Sequence, residues 1–185
     1  MSSTYCEYCF THPEDTFNKI YHDTKYGFPI KNDDELFERL VLEINQAGLS
    51  WITILKKADN FRKAYDDFNI DKIAAYTEKD RARLLEDPGI IRNRLKVNAA
   101  IVNAQKILEL KKEFGSFKSW LDSNHPLTKD EWTKLFKKTF VFTGGEIVNE
   151  FLMSTGYLAG AHEVGCPLYK KVASLRPAWM QKNRL

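Results

Sequence analysis

The sequence is poor in cysteine, proline and glycine and has no long apolar run, and each shortage narrows what the chain can be. Three Cys among 185 residues is an odd count, unsuited to a full disulfide framework, so a reducing compartment, the cytoplasm, is expected. Only 9 Gly and 6 Pro beside 43% hydrophobic residues exclude collagen-like, low-complexity and disordered chains. No apolar stretch approaches the roughly 20 residues that span a bilayer, so no membrane association is expected. The opening residues, Met1-Ser2-Ser3-Thr4-Tyr5, lack the basic and apolar pattern of a secretory leader. What is present is a length suited to one domain over residues 1–185, and an uneven charge. Residues 1–50 hold nine acids and four bases, whereas the remaining 135 hold 24 bases and 16 acids. That asymmetry is compatible with a polyanionic partner.

Apolar residues recur at helical spacing almost throughout, and the expected fold class is all-α. Asn32 with Glu35 forms a box-like cap, Leu36, Leu40 and Ala47 share a stripe, and Gly48 stops that helix. Ser50 is the expected cap of a segment carrying Trp51, Ile54, Leu55, Ala58 and Phe61. Short helices are expected near 70–76 and 78–86, the second capped by Thr77 with Asp80. After a turn at Asp87-Pro88-Gly89, a long amphipathic helix runs from about Val97 to just before Gly115. Ser116 and Thr128 are further caps, and Ile147, Val148, Phe151 and Leu152 mark a last stripe before Gly156. The one strand-like run, Phe140-Val141-Phe142-Thr143, is too short to build a sheet.

Glu43 breaks the stripe pattern. With Leu36 at 0° on the helical wheel, Ala47 falls at about 20°, Leu40 at about 40° and Glu43 at about −20°. Glu43 therefore points where the core-facing leucines point. An unpaired buried carboxylate costs several kcal/mol or takes up a proton. It is either an edge carboxylate paired with a nearby Arg or Tyr, or a pocket carboxylate facing a ligand with donors or positive charge. The wheel does not choose between them. The corner that follows, Gln46-Ala47-Gly48-Leu49-Ser50-Trp51, bears an exposed Leu and a Trp, and Trp51 judged alone would be read as core.

Two further constellations carry chemistry. Between about 85 and 97, Gly89 and two isoleucines form a hairpin between helices, followed by Arg92, Arg94 and Lys96. Backbone amides at a helix start together with clustered bases suit a phosphate backbone, although a solvated helix connection has the same composition. Near the two ends, Cys6 and Cys9 form C-x2-C and His162 with Cys166 forms H-x3-C, with His22 a fifth candidate. Four N/S ligands suit a tetrahedral zinc that is structural, since they leave no open coordination position.

Taken together, these residues resemble a known family, the bacterial DNA-3-methyladenine glycosylases of type I. The match runs through Tyr21-His22-Asp23, Tyr26-Gly27, Leu42-Glu43 and Gln46 to Trp51. It continues through Gly89-Ile90-Ile91-Arg92 with Arg94, Phe140-Val141-Phe142 with Gly144, and ends at His162 and Cys166. The resemblance implies a helix–hairpin–helix glycosylase architecture: two helical lobes with the damaged base between them and a structural zinc joining the termini. It implies zinc ligands at Cys6, His22, His162 and Cys166, and a catalytic, base-recognising carboxylate at Glu43. Pocket aromatics follow at Tyr21, Tyr26 and Trp51. Gly48-Leu49 becomes the corner that enters the gap left by a flipped base, and Gly89, Arg92, Arg94 and Lys96 the DNA anchor.

The implied activity is monofunctional hydrolysis of the N-glycosidic bond of 3-methyladenine in alkylated double-stranded DNA, by a monomer, without the aspartate that most of the superfamily uses to activate water. Rival readings are a non-catalytic zinc-tied DNA-binding module, a zinc hydrolase with Glu43 as base, and a glycosylase with shifted base specificity. The chain departs from the family at several places. Tyr26 and Tyr8 stand where Trp is common, Cys9 is an extra thiol, and the segment between Pro126 and Phe140 is short. Gly145, Glu146 and Glu150 replace hydroxyl residues.

Overall fold

Polar caps and glycine stops divide the chain at most of the expected places. The computed structural model describes residues 4–181, which form twelve α-helices and two 3-10 turns, with no strand among them. The N-terminal pair is α1 (Tyr5–Thr11) and α2 (Thr16–Thr24), two helices beyond the expected set, the second carrying Phe17, Ile20 and Tyr21 at helical spacing. Helix α3 (Asp33–Gln46) begins where the Asn32 side chain accepts from the Glu35 amide at 3.1 Å. The segment after Ser50 is two helices rather than one, α4 (Trp51–Leu55) and α5 (Ala58–Ala64), separated at Lys56-Lys57. Ser50 does not cap it through its side chain, because its hydroxyl is paired with Thr53 Oγ1 at 2.7 Å.

Helices α6 (Ile70–Ala74) and α7 (Glu78–Glu86) follow, the latter with the expected Thr77–Asp80 capping box. The long helix α8 (Arg94–Phe114) has 21 residues, which makes it about 31 Å long. It ends where Gly115 turns at φ +86, a left-handed conformation that side chains disfavour. Then come α9 (Phe117–Asn124), α10 (Lys129–Thr139), α11 (Gly145–Ser154) and α12 (Pro167–Ser174). None of the described helices is long and apolar enough to cross a membrane.

The acid-rich start of α3 serves helices elsewhere. The Asp33 carboxylate accepts from the Phe117 and Lys118 amides, both at 2.9 Å, and Asp34 accepts from the Ile70 amide at 3.1 Å. Both satisfy donors that a helix start leaves open, and they dock α9 and α6 against α3. The strand-like run at Phe140 finds a side-chain partner instead of a strand. Buried Asn103 on α8 donates to Val141 O at 3.1 Å and accepts from Val141 N at 2.9 Å.

One apolar cluster, containing Leu36, Phe37, Leu40, Ile44, Phe117, Trp132 and Phe151, extends from Ile30 to Tyr157. A smaller cluster groups Tyr21, Tyr26 and Ala161 with Tyr5. Trp51 packs against both, so the junction between them lies at the end of α3 and the start of α4.

Candidate active site and metal-ligand cluster

A cavity of about 390 Å³ opens at that junction. Tyr21, Tyr26, Glu43 and Trp51, which the sequence singles out, all line it, together with Tyr5, Gln46, Glu146 and Glu150. Glu43 is only 4% exposed, and no hydrogen bond or ion pair reaches its carboxylate among the described residues. The edge-pairing alternative is thereby set aside. Burial pushes the Glu43 carboxyl up to about 8; the Arg39 guanidinium pulls against this and Glu150 adds to it. Arg39, one helical turn before Glu43, is buried but spends its donors elsewhere. Its Nη1 donates to Tyr21 Oη at 3.0 Å and to Ser154 O at 3.3 Å. The sequence reading missed Arg39, although its i−4 spacing from Glu43 places it on nearly the same face.

The aromatic walls meet edge to face: Tyr21 and Trp51 have ring centroids 5.0 Å apart, and Tyr5 and Tyr26 5.2 Å. The Trp51 indole N–H is buried without an acceptor among the described residues. Tyr8 does not line the cavity; its hydroxyl donates to Asp15 at 2.9 Å and its ring stacks on His12. The aromatic from the first helix that does line it is Tyr5, whose hydroxyl donates to Asn18 Oδ1 at 2.9 Å. Nothing in the pattern of residues 1–10 distinguishes the two.

The corner after α3 is a tight turn at the cavity mouth. Gly48 has φ +80 and open space around its α-carbon, so its conformation rather than crowding calls for glycine. Gln46 donates to Leu49 O at 2.9 Å, and the Leu49 side chain is 38% exposed at the tip.

In the hairpin, Ile90 is buried, while Arg92 and Arg94 are exposed as expected. Two expectations are corrected. Lys96 is buried, at 5% exposure, and its ammonium donates to Asn45 O at 2.8 Å and Ala47 O at 2.7 Å. It satisfies the last carbonyls of α3 and so ties the hairpin to the corner instead of facing a phosphate. The first amides of α8 are not all free either, since Asn93 Oδ1 accepts from Leu95 N and Lys96 N. Lys57 likewise donates to Pro88 O and Gly89 O, bracing the turn.

At the chain ends, Cys6, His22, His162 and Cys166 converge, all four buried, with their ligand atoms within 4.8 Å of one another. Sγ-to-ring-nitrogen distances are 3.4 Å for Cys6–His22, 3.7 Å for Cys6–His162, 3.7 Å for Cys166–His22 and 3.6 Å for Cys166–His162. The outward ring nitrogens are held as well. His22 Nδ1 meets Asp23 Oδ1 at 2.7 Å, and His162 Nε2 meets Tyr26 O at 2.7 Å. Cys9 stands apart, its thiol directed at Asn18 O.

Comparison with known proteins places the chain in a family. A family model described as methyladenine glycosylase matches residues 11–133. The chain belongs to this family. It is 36% identical over 182 residues to DNA-3-methyladenine glycosylase 1 of Escherichia coli K12, an alignment covering 88% of this chain and 97% of that protein. The DNA-3-methyladenine glycosylase of Haemophilus influenzae is 37% identical over 166 residues, covering 80% and 89%. A solved structure of 3-methyladenine DNA glycosylase I from Staphylococcus aureus, concerned with 3-methyladenine recognition, superimposes with a TM-score of 0.77 at 34% identity. It covers 86% of this chain and 94% of that one. The methyladenine glycosylase fold is thus present over the segment that holds the corner, the hairpin and most of the cavity.

Proposed function

We propose that this chain is a monofunctional DNA repair glycosylase that excises 3-methyladenine from alkylated double-stranded DNA. The observation that carries the reading is Glu43, an unpaired buried carboxylate facing a cavity walled by tyrosines and Trp51. Alkylation at N3 makes the base cationic and weakens its glycosidic bond before any protein acts. The protein must extrude the base, hold the cation and admit water to the sugar carbon. Trp51, with Tyr21 or Tyr26, stacks on the cation, and each cation–π contact contributes about 0.5–2 kcal/mol. Glu43 accepts from the base's N–H donors, and its charge favours the cation over an unmodified adenine of the same shape. Leu49 enters the gap left by the flipped base, while Arg92 and Arg94 hold the DNA backbone. No lysine lines the cavity among the described residues, which supports hydrolysis without a Schiff base or strand cleavage.

The Cys6, His22, His162 and Cys166 cluster suits zinc. A tetrahedral zinc with bonds of about 2.3 Å to sulfur and about 2.0 Å to nitrogen separates S from N ligands by about 3.5 Å. The observed separations of 3.4 to 3.7 Å match. Asp23 and Tyr26 O orient the two rings, as outer-sphere partners do. Such a metal would join the first two helices to the 160s and brace Tyr26 through His162. Four protein ligands argue against a zinc hydrolase. One chain supplies corner, hairpin and pocket, which supports action as a monomer, and a reducing cytoplasm suits its free thiols. The open cavity argues against a non-catalytic module. The deciding experiment is chromatography of the bases released from methylated DNA; release of another alkylated base without 3-methyladenine would leave the glycosylase with shifted specificity, and release of no base by folded, zinc-loaded protein would leave only the DNA-binding module.

A further inference from the structure

The turn between α10 and α11, Phe140-Val141-Phe142-Thr143, lines no part of the base cavity, yet it carries an apolar tip in a costly conformation. Phe140 and Thr143 are buried, whereas Val141 and Phe142 are exposed, Phe142 by 37%. Phe142 has φ +60, the left-handed region that a bulky side chain disfavours and that glycine or asparagine adopts more readily. Backbone strain of this kind persists only where the surroundings over-determine it. Here Asn103, fully buried on α8, both donates to and accepts from the Val141 backbone, and the Thr143 hydroxyl donates to Phe140 O at 3.3 Å. The clamp holds the ring of Phe142 toward solvent, which core packing alone does not require.

Helix α8 fixes where this tip stands. Asn103 follows Lys96 by two helical turns, so the two side chains share one stripe of α8, about 10 Å apart along its axis. Lys96 holds the Leu49 corner through Asn45 O and Ala47 O, and Asn103 holds the Phe142 turn. One face of one helix therefore anchors two exposed apolar tips. The helix that starts just after the turn brings Glu146 to the cavity. Lys137 and Lys138, at the end of α10, are exposed beside the turn and have no ion-pair partner among the described residues. An apolar tip next to free cations fits a polyanion that also has apolar surface, as the sugars and base edges between phosphates do. A spacing of about 10 Å corresponds to about three base-pair steps. We propose that Phe142 is a second DNA contact, an apolar wedge that meets the duplex about three base pairs from the gap that Leu49 enters. Together with Leu49 it bends the duplex beside the lesion, as apolar wedges do when they part a base step. The inference rests on the glycosylase reading above and deepens it.

The test uses the full chain and a duplex carrying a stable abasic analogue in place of the flipped nucleotide. With Phe142 replaced by the photo-crosslinker benzoylphenylalanine, the protein should attach to DNA about three nucleotides from the analogue. Phe142→Asn, which suits the left-handed backbone and so keeps the fold, should weaken binding roughly tenfold with an unchanged salt slope, because an apolar contact releases no counterions. Phe142→Leu, which keeps an apolar tip, should recover most of that affinity. Absence of a crosslink to DNA, or wild-type affinity in Phe142→Asn, overturns the proposal, while base release by wild type leaves the glycosylase reading intact. Dimerisation of wild type that Phe142→Asn abolishes, with DNA affinity unaltered, assigns the tip to a second copy of this chain and overturns the proposal as well. If wild type neither binds this duplex nor releases any base, the glycosylase reading falls with it.

Discussion

Replacing Glu43 with glutamine isolates the electrostatic share of base recognition, because size and one acceptor oxygen are kept while the charge is lost. Opposite unit charges about 4 Å apart at an effective dielectric of about 20 attract by about 4 kcal/mol. The free protein holds this carboxyl at about 8, so near pH 7 it must first lose a proton, which costs roughly 1 kcal/mol. The net charge effect is roughly 3 kcal/mol, about a hundredfold in kcat/KM for release of the cationic base. The sign of the pH dependence follows from the same shift. A raised carboxyl gains its charge only as pH climbs, so wild-type kcat/KM should increase up to about pH 8 and then level off. The groups around it are Arg39, Tyr21, Tyr26, Glu146 and Glu150; burial raises Tyr21, Tyr26 and Glu150, so the tyrosines stay neutral across that window. In Glu43→Gln the rise attributable to this carboxyl should vanish, with duplex binding nearly intact. The assay is single-turnover base release at several pH values. A glutamine variant within about threefold of wild type at high pH, or one keeping the wild-type pH profile, would refute the charge argument.

Trp51→Ala should lose the stacking share, roughly 1–3 kcal/mol in base release, and combine non-additively with Glu43→Gln because both act on one ligand. Strict additivity in a double-mutant cycle would place them in separate roles. Arg92→Ala or Arg94→Ala should weaken binding to damaged and undamaged duplex alike and reduce the salt slope by about one per lost phosphate contact. Lys96→Met should instead leave the salt slope unchanged while lowering the melting temperature and base release, since its ammonium ties Asn45 and Ala47 carbonyls rather than DNA. Metal analysis should find one zinc per chain, lost in Cys166→Ser and kept in Cys9→Ser, with stability falling before activity per folded molecule; the reverse pattern would overturn the ligand assignment.

Local chemistry decided much of this protein without tertiary help. The caps at Asn32, Thr77, Ser116 and Thr128 and the stops at Gly48 and Gly115 act within one turn of chain, so they were legible as helix boundaries. Glu43 was legible for a similar reason: a helix turns by a constant angle, and a carboxylate on the apolar stripe is visible from spacing alone. What a side chain meets across the fold was not. Lys96 and Arg92 look alike in a run of bases, yet only packing against the end of α3 buries one ammonium on two carbonyls and leaves the other charge in solvent. Tyr5 and Tyr8 differ by three residues on one short helix, and the docking of that helix alone sends Tyr5 to the cavity. Spacing alone left five Cys and His candidates, and only the meeting of the first and last segments groups His22, not Cys9, with Cys6, His162 and Cys166. Glu150 shows the same division: its identity departs from the family in the sequence, but its place beside Glu43 exists only once α11 packs against α3.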